Sequence, residues 1–282
     1  MPANGLDLAV WEWQGGSPTL VFAHATGFHG RCWDQIARHF PAHRRLALDF
    51  RGHGRSSKPD PPYPWRPFAD DLLAIAEALE VRGAVGIGHS MGGHTVTAAA
   101  IDRPSVFASL VLIDATIFPE ARYGGPRFDA EFIRRRRAVF RSPAEMWERF
   151  HNRMPFVRWD PAVLRDYCEF ALLPSDGKFV LACPPEVEAS IYEHSLAPAS
   201  SLYPGLRWLA QPALVMRAGT TARPGMFDLN SSPTAPGLAA LLPRGQDLLL
   251  PEHNHFIPME APGLVVEWIG RYLESARTRV SV

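Results

Sequence analysis

Gly88-His89-Ser90-Met91-Gly92-Gly93 decides how this chain is read, because of what stands on either side of it. Before it runs Ala84-Val85-Gly86-Ile87, short and apolar, which predicts a buried strand. After it comes His94-Thr95-Val96-Thr97-Ala98-Ala99-Ala100-Ile101, which predicts a helix closed off by Pro104. Strand, tight turn and helix, with serine at the apex and glycine two residues to each side, form a nucleophile elbow. The chemistry explains the spacing. A serine hydroxyl attacks well only if it protrudes where a base can reach it, and the turn that presents it is strained. Gly88 and Gly92 relieve the crowding where strand and helix pass each other closely.

Outward from the elbow, apolar strands and helices alternate. Thr19–Ala23, Arg45–Asp49, Leu110–Asp114, Ala213–Arg217 and Asp247–Pro251 read as further strands. Helices are predicted around Trp33–Phe40, over a segment carrying Phe68, Leu72, Leu73, Ile75, Ala76 and Leu79 on one face, and from Pro262 to Leu273. Strands this apolar, separated by helices, imply an α/β fold with a mostly parallel sheet covered by helices on both faces. Residues 115–211 differ in character. They read as successive short helices, Ala130–Phe140, Pro143–Arg153, Pro161–Leu172 and Pro185–His194, punctuated by proline and glycine. A structureless loop that long is uncommon in a compact domain. A helical cap, inserted into a core made of residues 1–114 and 212–282, is the expected organisation, roofing the sheet edge where open α/β folds bind ligands.

Composition sets the remaining bounds. The 282 residues are 46% hydrophobic and 21% charged, with formal net charge +0, which argues against a general polyanion binder. Arg134-Arg135-Arg136-Arg137 would point around the whole cylinder of a helix, with Glu131 four residues before Arg135, so a solvated cap face is expected rather than a nucleic-acid site. No apolar run is long enough to span a bilayer, and Met1–Gly5 shows no secretory signal pattern. Cys32, Cys168 and Cys183 are scattered and odd in number, fitting neither a disulfide framework nor a zinc site. A cytoplasmic monomer or homodimer without metal or cofactor is the expectation.

With these features on the page, the chain resembles the α/β-hydrolase superfamily, of the kind with a helical cap inserted after the sixth core strand. Besides the elbow, the resemblance rests on His24-Ala25-Thr26-Gly27-Phe28 after the first buried strand, and on Asp49-Phe50-Arg51-Gly52-His53-Gly54-Arg55-Ser56, similar to the family's D-x-R-G-x-G-x-S loop. It also rests on His255-Phe256-Ile257-Pro258-Met259-Glu260, like the family's H-F-x-x-x-E histidine loop. The resemblance implies Ser90 as nucleophile and His255, rather than its neighbour His253, as base. The oxyanion donors would be the backbone N–H groups of Met91, at the start of the elbow helix, and of Thr26. The family commonly has His-Gly where this chain has His24-Ala25, which puts the path of that loop in question.

The acid stays open at this level. Most relatives carry it after the seventh core strand in a G-x-x-D turn, but here the turn reads Gly219-Thr220-Thr221-Ala222. The candidates are Asp114, at the end of the sixth strand, and Asp228, several residues beyond the usual position; Asp114 is favoured for its place in the layer of the elbow. The activity implied is hydrolysis of carboxylic esters of small to medium hydrophobic substrates through an acyl-serine. Lactone or C–C bond hydrolysis and perhydrolysis use the same framework. A ligand-binding receptor with little turnover is the alternative from another class, and the missing strand-seven acid is the feature that favours it.

Overall fold

The computed structural model describes residues 1–219 and 231–280, with side chains to 274. After a short N-terminal hairpin the chain lays down β1 (Val10–Trp13), β2 (Gly16–Ala23) and β3 (His43–Leu48). Helix α1 (Arg66–Ala78) leads to β4 (Ala84–His89), the elbow helix α2 (Met91–Asp102) and β5 (Phe107–Ile113). Every residue of β4 is buried, as a strand sandwiched between helical layers must be.

Between β5 and the next core strand the insert contains α3 (Pro143–Phe150), a two-residue strand β6 (Val139–Phe140) just before it, α4 (Pro161–Phe170), β7 (Leu172–Ser175), β8 (Lys178–Leu181) and α5 (Pro185–Glu193). Side-chain caps explain two of the helix starts: Ser142 Oγ accepts from the Glu145 amide, and Asp160 accepts from the amides of Ala162 and Val163, each followed by proline at the first helical position. The insert is not purely helical as expected. β6, β8 and β7 form a small antiparallel sheet, closed by an Asp176-Gly177 turn in which both residues have positive φ, 46° and 73°. The helix expected over Ala130–Phe140 is correspondingly cut short. It runs only over Glu131–Arg134, because Val139 and Phe140 pair with β8.

The chain then returns to the core with β9 (Ala213–Ala218), β10 (Gly245–Leu250) and the closing helix α6 (Pro262–Val280). The main sheet has seven strands in the order β10-β9-β5-β4-β2-β3-β1, all parallel except β1 against β3. Two apolar clusters cover its faces: one built on α1 and α2, with Phe68, Leu72, Val96 and Ala99, the other on α6 and the segment after β2, with Trp33, Ile36, Val265 and Ile269. This is the α/β-hydrolase architecture, with the ends of β2, β4, β5 and β9 delivered to one edge.

The elbow is built by close approach. A Cβ on Gly92 would lie 2.1 Å from the Ala23 carbonyl oxygen, one on Gly88 2.4 Å from the Gly92 oxygen, and one on Gly93 2.5 Å from the Ala115 Cβ. No side chain fits at those separations. Gly92→Ala is therefore expected to cost about 3 kcal/mol or more of folding stability, the upper end of overpacking penalties, because the obstructing atoms are backbone. Urea unfolding checks this, and a loss under about 1 kcal/mol would contradict the packing argument.

Candidate active site

Ser90 sits between β4 and α2 with φ 55° and ψ −120°, outside the regions an L-residue ordinarily occupies. Its amide donates to the Ile113 carbonyl (3.1 Å), and its own carbonyl accepts from the amides of His94 (3.2 Å) and Thr116 (3.0 Å). The hydroxyl lies 2.9 Å from His255 Nε2 and 3.0 Å from Thr116 Oγ1. Thr116 was not singled out from the sequence; it stands two residues past Asp114, where β5 ends, and no motif marks it.

His255 Nδ1 is 2.7 Å from Asp114 Oδ2. Asp114 is fully buried, with φ 45°, a conformation that aspartate tolerates better than most residues. Its other oxygen accepts from the Ala218 amide (2.9 Å) and from Ser232 Oγ (2.6 Å), so the carboxylate is held from three directions. These contacts fix His255 Nδ1 as the protonated nitrogen and leave Nε2 to accept from Ser90. The arrangement can move a proton from Ser90 to His255 while a buried carboxylate balances the resulting imidazolium. Asp228, the other acid candidate, lies outside the described residues. His253, the alternative base, points instead toward Glu260, with Nδ1 3.4 Å from Oε2.

Thr26 and Met91, the expected oxyanion donors, are neighbours: Thr26 Oγ1 donates to Met91 Sδ at 3.4 Å. The Met91 amide opens α2, where no carbonyl lies four residues back. Among the described residues neither amide is bonded to an acceptor. The loop holding Thr26 is clamped by two histidines. The Phe50 amide donates to His24 Nε2 (3.0 Å) while His24 Nδ1 donates to the Ala25 carbonyl (2.8 Å). The Gly27 amide donates to His53 Nε2 (3.0 Å) while His53 Nδ1 donates to the Arg51 carbonyl (3.0 Å). Ala25 in place of glycine is accommodated, buried in an apolar cluster with Phe28. The Asp49–Ser56 motif builds the adjoining loop. Asp49 Oδ1 accepts from the Gly30 amide (2.7 Å), its Oδ2 from the Arg55 amide (2.9 Å), and Arg51 forms a two-pronged pair with buried Asp71 (2.6 and 2.7 Å).

Aromatic rings close over this edge. Phe28 stacks on Trp159 (5.7 Å between ring centres), meets Tyr167 at 5.2 Å and stands edge-on to His89 at 6.2 Å; Trp159 also meets Phe256 at 5.4 Å. Phe140 and Met146 of the insert share that cluster. Phe132 of the insert is half exposed. His89 Nε2 donates to the His255 carbonyl at 2.8 Å, tying the elbow to the histidine loop. The four consecutive arginines are each engaged by carboxylates: Arg134 by Glu186 and Glu193, Arg135 by Glu131, Arg136 by Glu188 and Arg137 by Glu145. Among the described residues no helix is long and apolar enough to cross a membrane.

Comparison with known proteins is consistent with this geometry. A sequence model described as the alpha/beta hydrolase family matches residues 20–268. A non-heme chloroperoxidase of Streptomyces lividans is 40% identical over 118 residues, which span 40% of this chain and 42% of the chloroperoxidase, less than half its length. The 2-(acetamidomethylene)succinate hydrolase of Mesorhizobium japonicum is 23% identical over 270 residues, 93% of this chain and 90% of that protein. The solved structure of E-2-(acetamidomethylene)succinate hydrolase superposes with a TM-score of 0.78 at 22% identity, covering 96% of both chains, a likeness of fold.

The buried histidines make stability depend on pH. Burial drives His24, His29 and His94 down to about 4 and holds His53 and His89 well below their ordinary value. The unfolded chain therefore binds more protons than the folded one between about pH 4 and 6.5, so the stabilisation is complete above about 6.5 and is lost as pH falls toward 4. The loss is expected on the order of 1 kcal/mol per histidine per pH unit in that window. Urea midpoints at pH 7 and pH 5 measure it; equal midpoints would contradict it.

Proposed function

We propose that this chain, which belongs to the alpha/beta hydrolase family, is a serine hydrolase that cleaves carboxylic esters through a covalent acyl-serine. The observation that carries the reading is the run of contacts from Asp114 through His255 to the Ser90 hydroxyl, at 2.7 and 2.9 Å. Ser90 Oγ attacks the ester carbonyl carbon as His255 Nε2 takes its proton. The amides of Thr26 and Met91 receive the oxyanion. Collapse of the tetrahedral species expels the alcohol, which takes the proton from His255. Water then attacks the acyl-serine with His255 as base, releasing the acid and restoring Ser90. Asp114 orients His255 and stabilises its imidazolium. The elbow serine argues against mechanisms that begin with an aspartate nucleophile. A lactone, being a cyclic ester, would pass through the same steps.

Residues 115–211 act as a lid in this reading, with residues 1–114 and 212–282 as the catalytic core. The contacts of Trp159 and Tyr167 with Phe28, beside the elbow histidine, support that role and favour a substrate with a hydrophobic portion. The receptor alternative leaned on the lack of an acid after the seventh strand, and the Asp114–His255 contact supports the hydrolase reading over it.

Ser90→Ala should abolish hydrolysis of 4-nitrophenyl butyrate and labelling by a fluorophosphonate; labelling that persists would exclude Ser90 as nucleophile. Asp114→Asn should lower turnover by about 10⁴-fold, whereas a loss under about tenfold would move the acid elsewhere. Trp159→Ala should shift the preferred acyl length across a series of 4-nitrophenyl esters. An unchanged profile, with the protein folded, would place the substrate away from the lid.

A further inference from the structure

Arg136 differs from its three arginine neighbours. Arg134, Arg135 and Arg137 pair with carboxylates that are 17–66% exposed, whereas Arg136 Nη1 lies 2.5 Å from Glu188 Oε2, on a side chain only 8% exposed. Glu188 in turn lies against Gly27: a Cβ there would sit 2.8 Å from Glu188 Oε1, so no other residue leaves the carboxylate its place. Gly27 is flanked by Thr26, the proposed oxyanion donor, and Phe28, part of the aromatic wall. The pair thus stands against the loop that would hold a reacting carbonyl.

Removing two charges from water costs more than their attraction commonly returns, and an apolar pair of equal volume would hold the insert to the loop at least as firmly. The pair is also incompletely used. Arg136 Nε and Glu188 Oε2 are both buried without a hydrogen-bond partner among the described residues, although the Arg136 side chain as a whole remains 28% exposed and that of Glu188 only 8%. The arginine is thus the less shielded half of the pair. We infer that Arg136 is a specificity-determining residue whose guanidinium binds a carboxylate on the substrate, remote from the bond being cleaved, with Glu188 as its resident counter-ion. Arginine suits the task because its planar fork matches a carboxylate. Burial pushes the Glu188 carboxyl up from its ordinary value, with Arg136 pulling the other way. The substrate class that follows is the half-ester or lactone of a short dicarboxylic acid. This rests on the hydrolase reading for its chemistry but not for its binding.

Two arms separate those claims. In the first, kcat/KM is measured for the mono-4-nitrophenyl ester of glutaric acid and for 4-nitrophenyl butyrate. Arg136→Gln should lower the ratio of half-ester to neutral ester about tenfold, as expected for loss of a charge-assisted hydrogen bond. Glu188→Gln should raise that ratio, because it removes the competing anion, and Arg136→Lys should retain part of it. Opposite shifts from the two halves of one ion pair are the signature of a subsite. Equal losses on both esters, or an unchanged ratio, would make the pair a structural brace and overturn the inference. In the second arm, monoethyl and diethyl glutarate are titrated by calorimetry into Ser90→Ala protein, with and without Arg136→Gln. Weakened binding of the monoethyl ester alone supports the subsite even if the first arm shows no turnover, which would count only against the hydrolase reading. Indifference of both ligands to Arg136 overturns the subsite whatever the turnover. Should Arg136→Gln not fold, Glu188→Gln and Arg136→Lys carry both arms.

Discussion

The contact on which the rest depends is steric: the start of α2 passes so close to the end of β2 that a single methyl group on Gly92 would collide with the Ala23 carbonyl. Helix and strand can approach this far only where side chains are absent. The approach in turn forces Ser90, between His89 and Met91, into a backbone conformation that L-residues ordinarily avoid. The strain at Ser90 is held by bonds from neighbouring strands, with its amide on Ile113 and its carbonyl on Thr116. The protruding hydroxyl is thus a product of packing in the sheet rather than of the turn alone.

From that point the other elements converge because parallel strands end on one edge. Asp114 directly follows β5, β9 offers the Ala218 amide to hold its carboxylate, and the loop after β10 brings His255 between carboxylate and serine. The carboxylate donated by β5 needs no turn after β9 to supply another. Its three bonds serve a buried anion, which is costly unless it is paired and hydrogen-bonded.

Much of this was legible in the sequence. The core strands other than β1 read as apolar runs bounded by turn residues, and the glycines of the elbow announce the close approach; Val10–Trp13 was not recognised as a strand. Ser90 and His255 follow from motifs that lie far apart along the chain, whereas the acid stayed open between Asp114 and Asp228. The insert was less legible. Val139-Phe140 follows a helical turn without a break, and its strand character exists only because Lys178–Leu181 lies beside it. Pro174 obscured β7, although Asp176-Gly177 is a hairpin signal that could have revealed it. Thr116 has no pattern at all; its place beside Ser90 comes from the path of the chain beyond β5. Likewise nothing local distinguishes Arg136 from Arg135, since the difference lies in which glutamate the fold brings opposite.

The clamped histidines also make the loop carrying Thr26 observable. His24 and His53 each accept a backbone amide at Nε2 and donate from Nδ1 to a carbonyl, so each ring is confined to one neutral tautomer. Both rings are shut away from solvent. Their Nδ1 protons are held in hydrogen bonds that water reaches only when the loop opens. Such protons exchange slowly enough to give resolved downfield resonances in proton magnetic resonance spectra. The loop carrying Thr26 therefore contains its own spectroscopic reporters, whose exchange rates record how often it breathes.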